Sequence, residues 1–181
     1  MNYCSACGGR VRLRVPQGDN RERFVCDDCG MVHYVNPKVV TGTLPVQNGA
    51  VLLCRRAIEP RKGRWTLPAG FLELGETAPA GAARETLEEA NAEVAIDGLY
   101  TIFNLPHISQ IYLFFRARLL GSFAAGEETL EARLFEQGEV PWDELAFPVV
   151  AQTLRHYFRD REEGRYPVRM EDIVVHRPRP S

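Results

Sequence analysis

Four cysteines constrain this chain more than any other feature. They fall as Cys4-x-x-Cys7 and Cys26-x-x-Cys29, with eighteen residues between the pairs. Each such turn aims two sulfurs at one cation, and two turns complete a tetrahedron of Zn–S bonds of about 2.3 Å. Gly8-Gly9 follows the first pair and Gly30 the second, and glycine lets backbone N–H groups turn toward the thiolates. Between the pairs, Val11, Leu13 and Val15 alternate with polar residues, Pro16 to Asn20 reads as a turn, and Phe24-Val25 resumes the strand pattern. The pattern predicts a zinc ribbon over residues 1–36, with Cys4, Cys7, Cys26 and Cys29 as a closed, structural Zn²⁺ site. The alternative is two disulfides or redox dithiols. The spacing favours the metal, and nothing in the chain points to an oxidising compartment, so a cytoplasmic location is expected. Cys54 sits in the apolar run Ala50 to Cys54 and reads as a buried strand residue.

The remainder is long enough to bury an apolar core of its own. The 181 residues are 45% hydrophobic and 25% charged with a formal net charge of −2, which is globular composition without a global case for nucleic-acid binding. Residues 1–38 carry more bases than acids, but only slightly, a weak nucleic-acid footprint that argues against such a partner. No apolar run approaches a membrane span, and the start lacks the layout of a secretory signal. Asn36-Pro37 marks a boundary. Lys38–Val46 and Ala50–Arg55 read as strands joined by an Asn48-Gly49 hairpin. A basic loop over 59–64 and a short strand at Trp65–Leu67 lead into Pro68-Ala69-Gly70. Thr77–Asn91 and Phe147–Arg161 read as helices; Leu99–Leu105, Gln110–Leu119 and Leu130–Phe135 read as strands. The expected division is a ribbon at 1–36, an α/β domain at 37–165 and a tail at 166–181 whose apolar stretch is Ile173-Val174-Val175.

Charge distribution is more telling than its sum. From Gly70 to Glu93 the acids are Glu73, Glu76, Glu85, Glu88, Glu89 and Glu93, against the single base Arg84. On the helix, Ala83, Leu87 and Ala90 fall on one stripe at about 100° per residue, with Glu85, Glu88 and Glu89 roughly opposite. A solvated outer face would look the same. The glycine-bounded loop Gly70 to Glu76, with two further carboxylates, shifts the balance, because crowding carboxylates costs free energy that a hard divalent cation removes.

The phrase Gly70-x5-Glu76-x7-Arg84-Glu85-Thr86-Leu87-Glu88-Glu89-Ala90-Asn91-Ala92 resembles the Nudix box, signature of hydrolases that cleave a nucleoside diphosphate linked to another moiety. Thr86, Asn91 and Ala69 depart from it, standing where an aliphatic residue, a glycine and another glycine are usual. The resemblance implies an α/β/α sandwich with a mixed sheet and a homodimer. It implies that Glu85, Glu88 and Glu89 bind Mg²⁺ or Mn²⁺, that Glu76 and Arg84 orient the helix, that Glu73 supplies an extra carboxylate, and that Gly70 and Gly75 shape the loop. The phrase Glu128 to Phe135 resembles a later segment where related enzymes place another metal-binding or base glutamate; Glu131 is preferred there over Glu128. Glu127, Glu136, Glu139 and Glu144 read as solvated.

A ribbon ahead of a Nudix box also resembles NADH pyrophosphatases. Ser109-Gln110 begins their later motif, but Ile111-Tyr112 replaces its Pro-Trp-Pro-Phe continuation. The ribbon text is similar instead to zinc-ribbon Nudix proteins that include ADP-ribose/FAD pyrophosphatases. The expected substrate is therefore a dinucleotide or nucleotide sugar, FAD or ADP-ribose, cut to AMP. NADH or NAD-capped RNA, or nucleotide sensing without cleavage with nucleic acid bound through the ribbon, are the other readings. Phe103, His107 and Tyr112 are candidates to stack on adenine or flavin, each equally a packing residue. Arg55, within the basic stretch Arg55 to Arg64, is a candidate phosphate contact.

Overall fold

A computed structural model describes residues 1–174 of the chain. Its contacts divide the chain after Pro37 into two compact units. No described helix is long and apolar enough to cross a membrane.

The first unit is a ribbon of three antiparallel strands, β1 (Val11–Arg14), β2 (Arg23–Cys26) and β3 (Val32–His33), in the order β1-β2-β3. The two cysteine turns are alike: Gly8 N–H donates to the Cys4 carbonyl at 3.0 Å and Gly30 N–H to the Cys26 carbonyl at 3.2 Å. Alternation places β1 correctly, yet its apolar pattern does not make a core, since Leu13 and, just beyond the strand, Val15 are exposed.

The second unit opens with β4 (Lys38–Gln47) and β5 (Ala50–Arg56), paired through a turn with positive φ at Asn48 and Gly49. Short strands β6 (Trp65–Thr66) and β7 (Ala69–Phe71) precede helix α1 (Ala78–Ala90). Then come β8 (Val94–Leu105), β9 (Gln110–Leu119), β10 (Thr129–Phe135), helix α2 (Pro148–Glu163) and β11 (Arg169–Asp172). The sheet runs β10-β5-β4-β9-β8-β11, with β6 on β5 and β7 on β4. It is mixed, because β4 lies parallel to β9 and β11 parallel to β8. Strand β8 begins five residues before the stretch expected from sequence; two bulges in its pairing with β9 break the alternation there.

The helices cover opposite faces, as alternation along β4 shows. Thr41 and Thr43 face α1, bonding the Ala78 carbonyl at 2.8 Å and the Thr86 hydroxyl at 2.6 Å. Leu44 faces the cluster formed with Tyr100, Phe103, Phe114 and α2 residues Val149, Val150 and Leu154. The result is an α/β/α sandwich.

Two sequence expectations change here. On α1 the buried positions are Gly81, Ala82, Thr86 and Ala90, whereas Leu87 is 51% exposed. The inner stripe is therefore Ala82-Thr86-Ala90, small enough for close approach to β4, and not Ala83-Leu87-Ala90. The segment set apart as a tail supplies β11 through Arg169–Asp172. Its low apolar content hid it, because this strand is held largely by polar partners. Val175 and the rest of the tail to residue 181 lie outside the described residues.

Candidate active site

Helix α1 starts where Thr77 caps it, its hydroxyl accepting from Ala80 N–H at 3.4 Å. It ends at Asn91, which adopts the left-handed conformation and donates its N–H to the Leu87 carbonyl. Between these caps Arg84 organises the carboxylates. Its Nε and Nη2 grip both oxygens of Glu76 at 3.1 and 2.9 Å. Its Nη1 reaches Glu85 at 2.7 Å and Glu88 at 3.0 Å, and Nη2 also binds the Phe71 carbonyl at 3.1 Å. A bidentate fork of this kind fixes direction as well as charge. The Arg84 hydrogen bonds hold Glu76 below the usual carboxylate range, and Glu76 also accepts from Glu73 N–H at 2.7 Å. Gly75, at a positive φ, makes the turn between these two glutamates. Gly70 passes so close to Glu85 that a Cβ there would run into its carboxylate.

Two of the helix glutamates are partly withdrawn from water. Burial raises the pKa of Glu85 despite Arg84. Burial, reinforced by the charge of Glu85, pushes Glu89 up to about 8. The Glu89 Oε2 atom is buried and has no hydrogen-bond partner among the described residues. A buried, unpartnered carboxylate oxygen beside two other carboxylates is an arrangement that a hard divalent cation satisfies.

These groups open onto a cleft of about 1040 Å³. Of the residues singled out from sequence, Gly70, Glu73, Arg84, Glu85, Glu88, Glu89, His107, Tyr112 and Glu128 line it. Glu76 and Gly75 stand behind them. Three do not reach the cleft. Phe103 is fully buried in the core between the sheet and α2. Arg55 donates Nε to the Gly63 carbonyl at 3.0 Å, with Nη1 4.0 Å from Glu131, its register partner on β10. Glu131 is turned to that pairing and not to the cleft. The neighbouring residues take these places. Arg56 follows Leu52 and Cys54 on the alternating pattern of β5 and lines the cleft, lying over the Phe147 ring at 5.4 Å. Glu127, read as solvated, lines it as well.

The loop between β9 and β10 explains how Glu127 and Glu128 arrive there. Ala124 N–H donates to the Ala90 carbonyl at 2.8 Å, Gly126 N–H to the Glu89 carbonyl at 2.9 Å, and Asn91 Nδ2 to the Ala125 carbonyl at 2.9 Å. The free carbonyls at the end of α1 thus bind the loop, and Ala57 N–H secures the Glu128 carbonyl at 2.8 Å. Sequence offered a signal for this in the acid run itself, but not which of its members turn inward.

In the ribbon, the sulfurs of Cys4, Cys7, Cys26 and Cys29 all lie within 4.8 Å of one another and none is in a disulfide. Cys4 and Cys29 are 3.8 Å apart and Cys7 and Cys26 3.4 Å, against about 3.8 Å across a tetrahedron of Zn–S bonds. The backbone N–H of Cys29, aided by that of Asp28, draws the Cys26 thiol down to about 7, while Cys7, despite the backbone N–H of Gly9, is pushed up to about 12 by the neighbouring sulfurs of Cys29 and Cys26. His33 Nε2 lies 3.3 Å from Cys4 Sγ. The donor set fits a zinc ion.

Residues 2–35 match the family described as Nudix N-terminal, a zinc ribbon, and residues 36–164 match the NUDIX domain. The chain belongs to the NUDIX family. It is a Nudix hydrolase, in a family of pyrophosphatases. A crystal structure of a NUDIX hydrolase from Nitrosomonas europaea superposes with a TM-score of 0.93 at 51% identity, covering 96% of this chain and 99% of that one. The ADP-ribose pyrophosphatase of Methanocaldococcus jannaschii is 30% identical over 120 residues, which cover 63% of this chain and 69% of that protein. The NAD-capped RNA hydrolase NudC of Vibrio atlanticus is 34% identical over 97 residues, 52% of this chain and 34% of NudC, so the chain spans about a third of that relative.

The three departures from the Nudix box have structural partners. Thr86 donates to the Ala82 carbonyl at 2.8 Å and accepts from Thr43, so a buried hydroxyl pair takes the place of an aliphatic contact. Asn91 accepts the left-handed helix end and adds the bond to Ala125. The Ala69 methyl sits against Gly42, where a second Cβ would collide with it.

Proposed function

We propose that this Nudix hydrolase cleaves the diphosphate of ADP-ribose or FAD, with Mg²⁺ or Mn²⁺ as cofactor, by adding water across a P–O–P bond to release AMP and ribose 5-phosphate or FMN. The observation that carries the reading is the Glu89 oxygen, buried and unpartnered beside Glu85 and Glu88. These three carboxylates would hold the cations. Divalent cations there would neutralise the diphosphate and lower the pKa of the attacking water. Arg84 keeps Glu85 and Glu88 aimed in one direction before substrate arrives. Arg56 contributes a cationic contact to the diphosphate: its Nε is engaged by the Pro60 carbonyl, and its terminal N–H groups have no partner among the described residues. Glu128 is the proton acceptor in this reading, because it lines the cleft and Glu131 does not.

The cleft stands at the top of the roughly 300–1,000 Å³ range of small-molecule sites, which suits a dinucleotide-sized substrate. The similarity to an ADP-ribose pyrophosphatase supports the same class. The similarity to NudC favours a second reading, NAD(H) or an NAD-capped RNA. Zn²⁺ belongs to the four cysteines in either case. A homodimer is part of the proposal, and light scattering checks it.

A hydrolysis panel of ADP-ribose, FAD, NADH, NAD and diadenosine polyphosphates decides the matter. Expected are AMP with ribose 5-phosphate or FMN, and a loss of about 10²–10³ in kcat for Glu89→Gln. Undiminished turnover in Glu89→Gln or in EDTA overturns the metal site; faster turnover of NAD or NADH favours the second reading.

A further inference from the structure

The NUDIX match ends at residue 164, yet the chain beyond it builds part of the cleft. After Gly164 it lays β11 parallel to β8, with Asp172 opposite Asn104. Alternate residues of a strand share a face. Arg169, Glu171 and Ile173 are the partly buried set, whereas Met170 and Asp172 are exposed. Each of the first two is held by α2: Arg169 pairs with Asp160, and Glu171 Oε1 lies 2.6 Å from His156 Nε2. One step further, Ile173 N–H donates to the Asn104 carbonyl at 2.9 Å, and the Ile173 side chain lines the cleft. Two polar pairs to one helix thus fix where this apolar side chain stands.

The cleft wall that Ile173 completes differs in chemistry from the carboxylate end. It consists of Leu105, Tyr112 and Phe147 with Ile173, backed by the core residues Phe114 and Val150. Arg56, over the Phe147 ring, stands where the charged and apolar parts meet. An apolar, aromatic wall of this kind takes a flat heteroaromatic ring, whose faces bury large area, and leaves the anionic diphosphate to the polar end.

We propose that the segment following α2 supplies the specificity wall of this enzyme, with Ile173 limiting the size of the heteroaromatic ring admitted beside the diphosphate. The ring is adenine in ADP-ribose and adenine or isoalloxazine in FAD. The identity of the substrate rests on the diphosphatase reading; the ring subsite itself does not. Ile173 is a specificity residue and takes no part in proton transfer or metal binding.

The test uses the full chain with Ile173→Trp, Ile173→Ala and, as a control on the outer face of the same strand, Met170→Ala. Binding of AMP is measured by calorimetry, and hydrolysis is followed for ADP-ribose, its guanine counterpart and FAD. Ile173→Trp weakens AMP binding and raises KM for ADP-ribose by about tenfold or more, with the effect on KM and not on kcat. Ile173→Ala improves kcat/KM for the guanine substrate or for FAD relative to ADP-ribose, and which of them gains identifies the ring. Met170→Ala matches the wild type in both measurements. If the wild type turns over ADP-ribose or FAD while AMP affinity and the substrate ratios stay within about twofold in both Ile173 variants, the inference falls and the diphosphatase reading stands. If no diphosphate is turned over but Ile173→Trp still abolishes AMP binding, the reading falls and the subsite stands. Absence of both turnover and AMP binding in the wild type overturns both.

Discussion

In residues 1–37 the buried apolar side chains are Cys4, Val25 and Cys26, whereas the unit from Lys38 onward buries Leu44, Leu52, Leu53, Phe103, Phe114, Leu154 and Phe158 among others. The ribbon leaves Leu13, Val15 and Tyr34 exposed. Its centre is four sulfurs, and a segment of this size has too little apolar surface to order itself unaided. The larger unit has a full apolar core and spends its buried polar groups elsewhere. Thr41, Thr43 and Thr86 join α1 to the sheet, and Asp160 joins α2 to Tyr100 and Arg169. The contrast teaches that one chain gathers four metal-ligating sulfurs where apolar area is short, and sets polar pins where apolar area is ample.

The largest expected effect is on the ribbon. Zinc binding to such small domains contributes on the order of 10 kcal/mol, so Cys26→Ser, or stripping the metal with a strong chelator, should unfold residues 1–37 while the larger unit keeps its cooperative melt. Hydrogen exchange resolved by segment, with metal content by mass spectrometry, checks this. A ribbon that stays protected without metal breaks the comparison.

Next comes Asp160. Its carboxylate is inaccessible to solvent and accepts from Tyr100 at 2.7 Å and from Arg169 at 2.6 Å. Burial alone would raise its pKa; the bonds from Arg169 and Tyr100 outweigh that and hold it below the usual range. A lowered folded-state pKa means the stabilisation is present above the unfolded value of about 4 and is lost as pH falls through the folded one. Asp160→Asn should therefore cost about 3 kcal/mol at neutral pH, and melting curves of variant and wild type should converge in acid. An unchanged gap at low pH would show that charge is not what Asp160 contributes.

The smallest effect concerns the threonine pair. Thr86→Val strands the Thr43 hydroxyl and should cost about 1–3 kcal/mol, whereas Thr43→Val with Thr86→Val should recover most of it. Urea unfolding of the four proteins closes the cycle. Additive losses would mean that the two hydroxyls act independently.

Much of this architecture is legible in the residues. The cysteine spacing points to the ribbon and its ligands. Asn48-Gly49 fixes a hairpin, Thr77 and Asn91 bound α1, and the Nudix box names the helix that carries the carboxylates. Alternation and spacing encode these features locally. Leu87 misleads because the helix turns Glu85 and Glu89 partly inward, so that Leu87 meets water beside Glu88. Arg55 and Arg56, or Glu128 and Glu131, cannot be ranked from composition, since a shift of one residue in a strand exchanges its faces. Strand β11 escapes notice because Arg169, Glu171 and Asp172 find their partners on α2 and β8.

The sequence by itself determined the two-unit plan, the zinc ribbon, the family and the acidic helix, because spacing, caps and motif are written in consecutive residues. Only the tertiary structure decided which side chains meet in the cleft. Arg56 is there and Arg55 is not; Glu127 and Glu128 are there and Glu131 is not; Ile173 arrives from far along the chain. The physical reason is that a site is assembled from strand faces and loop ends whose orientation depends on register, bulges and long-range hydrogen bonds, none of which a local pattern contains.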